Sequence, residues 1–143
     1  MNASTDQSDR FRRSMCPVAN TLELVGDKWS LLLIRDMLHG KTTYSELLDS
    51  PERIPTNILA DRLKRLEAAG IVLRSAYQAR PVRYAYTLTE KGAQLGEVLQ
   101  ALVRWGKRHI PGTRTLTESA SRAGKRGRPR RSIPGGAKTG RSG

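Results

Sequence analysis

Apolar residues between Pro17 and Trp105 come in discrete groups, and the spacing within each group predicts an element. Val18, Leu22 and Val25 recur at helical spacing behind Pro17, which suits a first helical turn because its missing N–H costs nothing there. Cys16 stands at the cap position of this helix and Gly26 closes it. From about Lys28 to Leu38 the apolar residues Trp29, Leu31, Leu32, Leu33, Ile34, Met37 and Leu38 surround most of a second helix, the pattern of one buried at a domain centre. Gly40 ends it. Thr42 or Thr43 then caps a short third helix that turns Tyr44, Leu47 and Leu48 inward and breaks at Ser50-Pro51. A fourth helix starts near Pro55 or Thr56, carries Leu59, Leu63 and Leu66 on one face, and stops at Gly70 in a left-handed cap.

The period then changes from helix to strand. Ile71 to Tyr77 is one strand; Val82, Tyr84, Tyr86 and Leu88, alternating with Arg83, Ala85 and Thr87, form another, and Gln78 to Pro81 joins them. Thr89 caps a last long helix whose stripe of Leu95, Val98, Leu99, Leu102 and Trp105 opposes the wet Glu90, Lys91, Glu97 and Arg104. The expected fold class is mainly α with a small β-hairpin: a helix-turn-helix followed by a two-stranded wing.

The ends lack this patterning. Residues 1–14 read as a flexible arm, 15–110 as the folded domain, and 111–143 as a disordered basic tail in which only Leu116 and Ile133 are sizeable apolar groups. The formal charge is +13 and the pI about 10.9, which favours a polyanionic partner. The tail alone carries +8, leaving +5 for everything before it. No run approaches the roughly 18 apolar residues of a membrane span, and the N-terminus lacks a secretory apolar stretch. The expectation is a cytoplasmic, nucleoid-associated protein with no membrane partner.

Enzymatic and metal chemistry find little support. Cys16 is the single cysteine and His39 and His109 the two histidines, too few for the usual zinc sets, and no nucleophile, base and orienting acid assemble. Gly40-Lys41-Thr42 looks like the end of a phosphate loop, but Arg35 stands where the loop needs its first glycine. Neither an enzyme nor a cofactor is expected.

DNA-binding chemistry concentrates on the fourth helix. Opposite the leucines lie Asn57, Asp61, Lys64 and Ala68, with Ala60 and Arg65 at the edges and Arg62 on a shoulder. Asn suits adenine N6 and N7, Asp accepts from cytosine N4, and Lys or Arg serves guanine or phosphate. The start of such a helix reaches the bases, so Thr56, Asn57 and Ala60 or Asp61 are better base readers than Lys64 and Arg65. Arg80 and Arg83 in the hairpin suit phosphate or the minor groove, and the hydroxyls of Thr43 and Ser45 can hold a phosphate at a helix start or simply cap it.

Cys16-Pro17-Val18, Leu24-Val25-Gly26-Asp27-Lys28-Trp29, Tyr44-Ser45-Glu46-Leu47, the run from Leu59 to Glu67 with Gly70-Ile71-Val72, and Tyr86 to Gly92 follow one another in an order that resembles the HxlR-type transcriptional regulators. The resemblance spans about residues 16–106. It implies a winged-helix homodimer built through the first and last helices, which puts Val18, Leu22, Val98, Leu102 and Trp105 at the interface. It also implies double-stranded DNA as partner, with an inverted-repeat operator, and a small electrophile or oxidant as a possible effector. Relatives often carry Ser and a basic residue where this chain has Pro55, Thr56 and Asn57, so their operators do not transfer.

In that family the cysteine matching Cys16 is frequently a redox or electrophile sensor. A thiol at a helix start gains thiolate character from the dipole, whereas the alternative is a small apolar group inside the dimer contact. In the tail, Lys125-Arg126-Gly127-Arg128-Pro129-Arg130-Arg131 resembles an AT-hook, whose Arg126, Gly127, Arg128 and Pro129 would lie in a narrow A·T minor groove; a plain polycation is the competing reading. An architectural DNA-coating protein and a winged helix used for protein contacts remain the rival functions.

Overall fold

The computed structural model describes residues 14–126. The arm before Ser14 and the hook residues Gly127, Arg128 and Pro129 lie outside them. The described residues fall into two compact units, one ending at Leu102 and the other beginning at Val103.

The first unit opens with α1 (Pro17–Val25), α2 (Ser30–Leu38), α3 (Tyr44–Leu48) and α4 (Thr56–Ala68). Cys16 is the N-cap of α1 with Pro17 in the first turn, as the sequence suggests, but its side chain makes no capping bond. Asp27 sets the start of α2. Its Oδ2 accepts from the N–H of Trp29 at 3.0 Å and of Ser30 at 3.1 Å, so regular helix begins at Ser30 rather than Lys28. Thr43, not Thr42, caps α3 in a reciprocal box with Glu46, whose carboxylate accepts from the backbone of Thr42 and Thr43. Gly70 follows α4 at φ +70°, the left-handed stop that its position predicts. Gly26 closes α1 in the right-handed region instead, where an added Cβ would lie 2.3 Å from the Leu22 carbonyl oxygen.

β1 (Val72–Ala79) and β2 (Val82–Leu88) pair antiparallel, Val72 opposite Leu88 and Ala79 opposite Val82. The strands therefore run further than the sequence shows, leaving Arg80-Pro81 as the turn, and the register slips at Tyr77 in a bulge. β2 also touches the segment before α3: the Tyr86 N–H donates to the Thr42 carbonyl at 2.8 Å, and Thr43 bridges Ala85. Alternation along one segment gives no hint of this isolated bridge.

Val25, Leu33, Ile34, Met37, Leu47, Ile54, Leu59, Leu63, Leu66, Ile71 and Val72 form the core. Burial of each large side chain contributes about 1.5–3 kcal/mol. Not every apolar residue of α2 joins them. Trp29 and Leu31 are half-buried and Leu38 is 44% exposed, while Asp36 takes a buried place with its carboxylate against the Arg35 guanidinium at 2.9 Å. Arg35 in turn binds Glu52 at 2.7 Å and so ties α2 to the loop before α4.

The expected single last helix is two. Thr89 caps α5 (Glu90–Ala93), accepting from the Gly92 N–H at 3.0 Å, and a tight turn at Gln94-Leu95 precedes α6 (Gly96–His109). Within α5, Gly92 lies against the chain before β1, where a Cβ would come 2.2 Å from the Ile71 carbonyl oxygen.

In the second unit, Gly112 at φ +78° turns the chain after α6, and α7 (Leu116–Arg126) follows where the sequence reading expects disorder. Local bonds account for the difference. Thr115 and Glu118 form a reciprocal cap, the Thr115 N–H donating to Glu118 at 2.8 Å, and Lys107 pairs with Glu118. The Lys107 ammonium, with the Thr115 groups, holds the Glu118 carboxyl down at about 2. Arg126, assigned to an extended hook, is the last residue of this helix.

Candidate nucleic-acid interface

The side of α4 away from its buried leucines presents Thr56, Asn57, Ala60, Asp61, Lys64 and Arg65, all exposed. Pro55 caps the helix without a side-chain bond, so its first N–H groups depend on outside partners. Tyr44 fixes where that end sits, since its hydroxyl donates to the Thr56 carbonyl at 2.8 Å and joins the two helices of the helix-turn-helix. The connecting loop holds Arg53 at φ +54°, an uncommon conformation for a side chain of that size.

Arg62, on the shoulder of the helix, turns its charge inward: it is 17% exposed, its Nε donates to Asp27 Oδ2 at 2.8 Å, and its Nη1 is bound by Asp61. Asp61 also receives Arg65 Nε at 3.2 Å. Both guanidiniums meet the same oxygen, Oδ2, of the Asp61 carboxylate. Partial burial pushes the Asp27 carboxyl up, but the Ser30 hydroxyl, the Trp29 N–H, Arg62 and the Ser30 N–H together bring it down to about 2.

The hairpin stands beside this face. Arg74 of β1 lies over the Tyr84 ring at 4.3 Å and reaches Glu67 of α4 at 3.6 Å, bracing wing against helix. Between them is a cleft of about 390 Å³ bordered by Tyr44, Ala60, Lys64, Glu67, Arg74 and Tyr86. Arg80 and Arg83 are exposed at the far end of the hairpin. Thr43 and Ser45 lie 3.3 Å apart at the start of α3; the Thr43 hydroxyl is engaged in capping, while Ser45 is exposed. The structure thus gathers α4, the wing and the start of α3 but withdraws Arg62. Sequence reasoning missed Tyr44 and Asp27 as supports of this face. Periodicity marks Tyr44 only as inward, and the contact of Asp27 with Arg62 spans 35 residues.

Away from α4, Cys16 is exposed, Val18 is 65% and Leu22 58% exposed, and α6 leaves Val98, Leu102 and Trp105 exposed. Among the described residues no cluster of ligating side chains suits a metal, and no helix is long and apolar enough to cross a membrane.

A three-helix core, a recognition-type helix and a β-hairpin define a winged helix-turn-helix DNA-binding protein, and structural comparison agrees. The reduced form of the regulator YodB from B. subtilis aligns with a TM-score of 0.58 at 33% identity, covering 71% of this chain and 100% of that one. The redox regulator HypR in its oxidised form aligns at 0.60 and 34% identity over 71% and 100%. Residues 24–114 match the family described as HxlR-like helix-turn-helix, and the chain belongs to that family. Among curated relatives, the HTH-type transcriptional regulators YtcD and YodB of Bacillus subtilis are each 37% identical over 93 residues, covering 65% and 64% of this chain and 74% and 83% of theirs. The protein is a transcriptional regulator of the helix-turn-helix type.

Proposed function

We propose that the protein acts as a homodimer that reads a specific inverted-repeat operator and answers to oxidants or electrophiles through Cys16. The observation that carries the reading is the outward face of α4. Asn57 and Thr56 stand exposed at its start, where a major-groove helix meets base edges, with Lys64 and Arg65 further along for phosphate. The wing adds Arg80 and Arg83 as sequence-neutral contacts, and Ser45 with Thr43 offers hydroxyls to a neighbouring phosphate.

Dimerisation is supported by the apolar side chains of α1 and α6 that stay in water in the single chain; Val18, Leu22, Val98, Leu102 and Trp105 gain most from a partner. The sensor role of Cys16 is supported by its exposure at the start of α1, and by the redox states in which the related YodB and HypR structures are described. The tail beyond α6 adds affinity through its positive charge, with an AT-hook-like segment at Gly127, Arg128 and Pro129 directly after α7.

Selection of bound fragments from random DNA, followed by footprinting and the mass of the complex in solution, tests the reading. The expected result is discrete protection of an inverted repeat, half-sites about 10 bp or a multiple apart, by two chains. Uniform coating of any duplex, or one chain per site, would overturn it.

A further inference from the structure

Arg62 sits in the middle of the reading helix, yet its charge is used inward. Three facts define the contact. The side chain is 17% exposed; Nε meets Asp27 Oδ2 at 2.8 Å; and Nη1 meets Asp61, the next residue back along α4. Asp27 is itself immobilised, since the same Oδ2 accepts from the N–H of Trp29 and of Ser30, and Oδ1 accepts from the Ser30 hydroxyl. The Asp27 carboxylate therefore sits on the start of α2, a helix whose Leu33, Ile34 and Met37 are buried in the core. On the other side Asp61 is gripped by Arg65 as well. A chain of charge-assisted bonds thus runs from the α1–α2 junction into the exposed face of α4.

The buried leucines seat α4 in the core, and the directional ion pair adds a fixed point that ties its Arg62 edge to the start of α2. Arg62 and Arg65 both meet Asp61, so the same contact reaches a side chain on the exposed face of α4. We infer that Arg62 and Asp27 are positioning residues for sequence readout: Asp27 holds Arg62, Arg62 holds Asp61 and the register of α4, and neither Arg62 nor Asp27 touches DNA. This rests on the proposal that α4 is the reader.

Asp27→Asn and Arg62→Gln, singly and together, test this in the full-length chain. Asn can still cap α2, so the first variant loses the charge facing Arg62 while keeping the helix start. Each protein is titrated with its selected operator and with random duplex across a salt series, and its thermal unfolding is followed alongside. Each single variant is expected to lower the preference for operator over random DNA about tenfold. Binding to random duplex and its salt slope should hardly change, and the double variant should be no worse than either single one. Arg62→Lys, which can keep the bond to Asp27, should recover part of the preference.

The opposite pattern overturns the inference. If Arg62 contacts phosphate, Arg62→Gln weakens both DNAs and makes the slope shallower by about 0.9, while Asp27→Asn leaves preference intact. A variant that merely fails to fold shows itself in thermal unfolding, and the Arg62→Lys comparison then decides: full loss of preference in a folded Arg62→Lys protein, with Asp27→Asn unchanged, also counts against it. Should the unaltered protein show no preferred sequence at all, it is the proposed reading by α4 that fails, which the wild-type titration reveals before any variant is compared.

Discussion

Within α4, neighbours one residue apart do different jobs because of what lies behind them. Asn57 is exposed at the first turn and Lys64 two turns later, so replacing each by Ala should act differently. Asn57→Ala is expected to weaken the operator by about 1–3 kcal/mol while sparing random DNA, and Lys64→Ala to weaken both alike. Titration of the two duplexes at fixed salt checks the contrast. Asp27 makes a prediction about pH. Its folded pKa of about 2 lies below the ordinary 3.8, so its contribution to stability is complete above about pH 5 and disappears as pH falls through 2. A depression of that size corresponds to about 2 kcal/mol. The difference in unfolding free energy between the wild type and Asp27→Asn should shrink by about that amount between pH 5 and 2, measured by denaturant melts. A pH-independent difference would mean that the charge is not what matters at this position.

Among the elements, the wing is held by more than its two strands. Arg74 links β1 to Glu67 of α4 while stacking on Tyr84 of β2, and the Tyr86 N–H binds the Thr42 carbonyl ahead of α3. The hairpin end with Arg80 and Arg83 is thereby carried at a set place beside the reading helix. Both arginines are expected to contribute affinity without sequence preference. Arg80→Ala and Arg83→Ala should each make the slope of log affinity against log salt shallower by about 0.9, leaving the operator-to-random ratio unchanged. A change in that ratio would place the wing among the base readers.

For the whole molecule, the exposed apolar residues of α1 and the thiol at its start meet in one expectation. With a single cysteine per chain, oxidation yields an intersubunit disulfide, a mixed disulfide with a small thiol, or an adduct. A mild oxidant such as diamide should change operator affinity, and Cys16→Ser should abolish the response; an unchanged response in the serine variant rules Cys16 out as the sensor. The tail is expected to add a separable contribution. A chain ending at Pro111 should lose affinity more than specificity and show a shallower salt slope. Arg128→Ala should hurt binding to sites flanked by A·T tracts more than to those flanked by G·C, and equal losses on both flanks would leave a plain polycation.

Much of this architecture is legible in the sequence because it is written in local periodicity. Leu59, Leu63 and Leu66 mark the inner face of α4, Gly70 marks its end, and alternation from Val82 to Leu88 marks a strand, each enforced by backbone geometry within a few residues. Asn57 and Lys64 follow as outward residues by the same geometry. Local capping also decides α7, in a segment whose polar composition by itself predicts disorder: Thr115 and Glu118 stand at capping-box spacing where there is little to bury. Contacts between residues far apart in the chain carry no such local mark. Arg62 is only a shoulder residue until Asp27 is brought to it, Tyr44 looks like core until its hydroxyl meets the Thr56 carbonyl, and Gly92 is only a glycine in a helix until Ile71 lies against it. Periodicity records which face of an element is wet. A hydrogen bond or ion pair depends on which other element arrives at that face, and that is set by how the whole core packs.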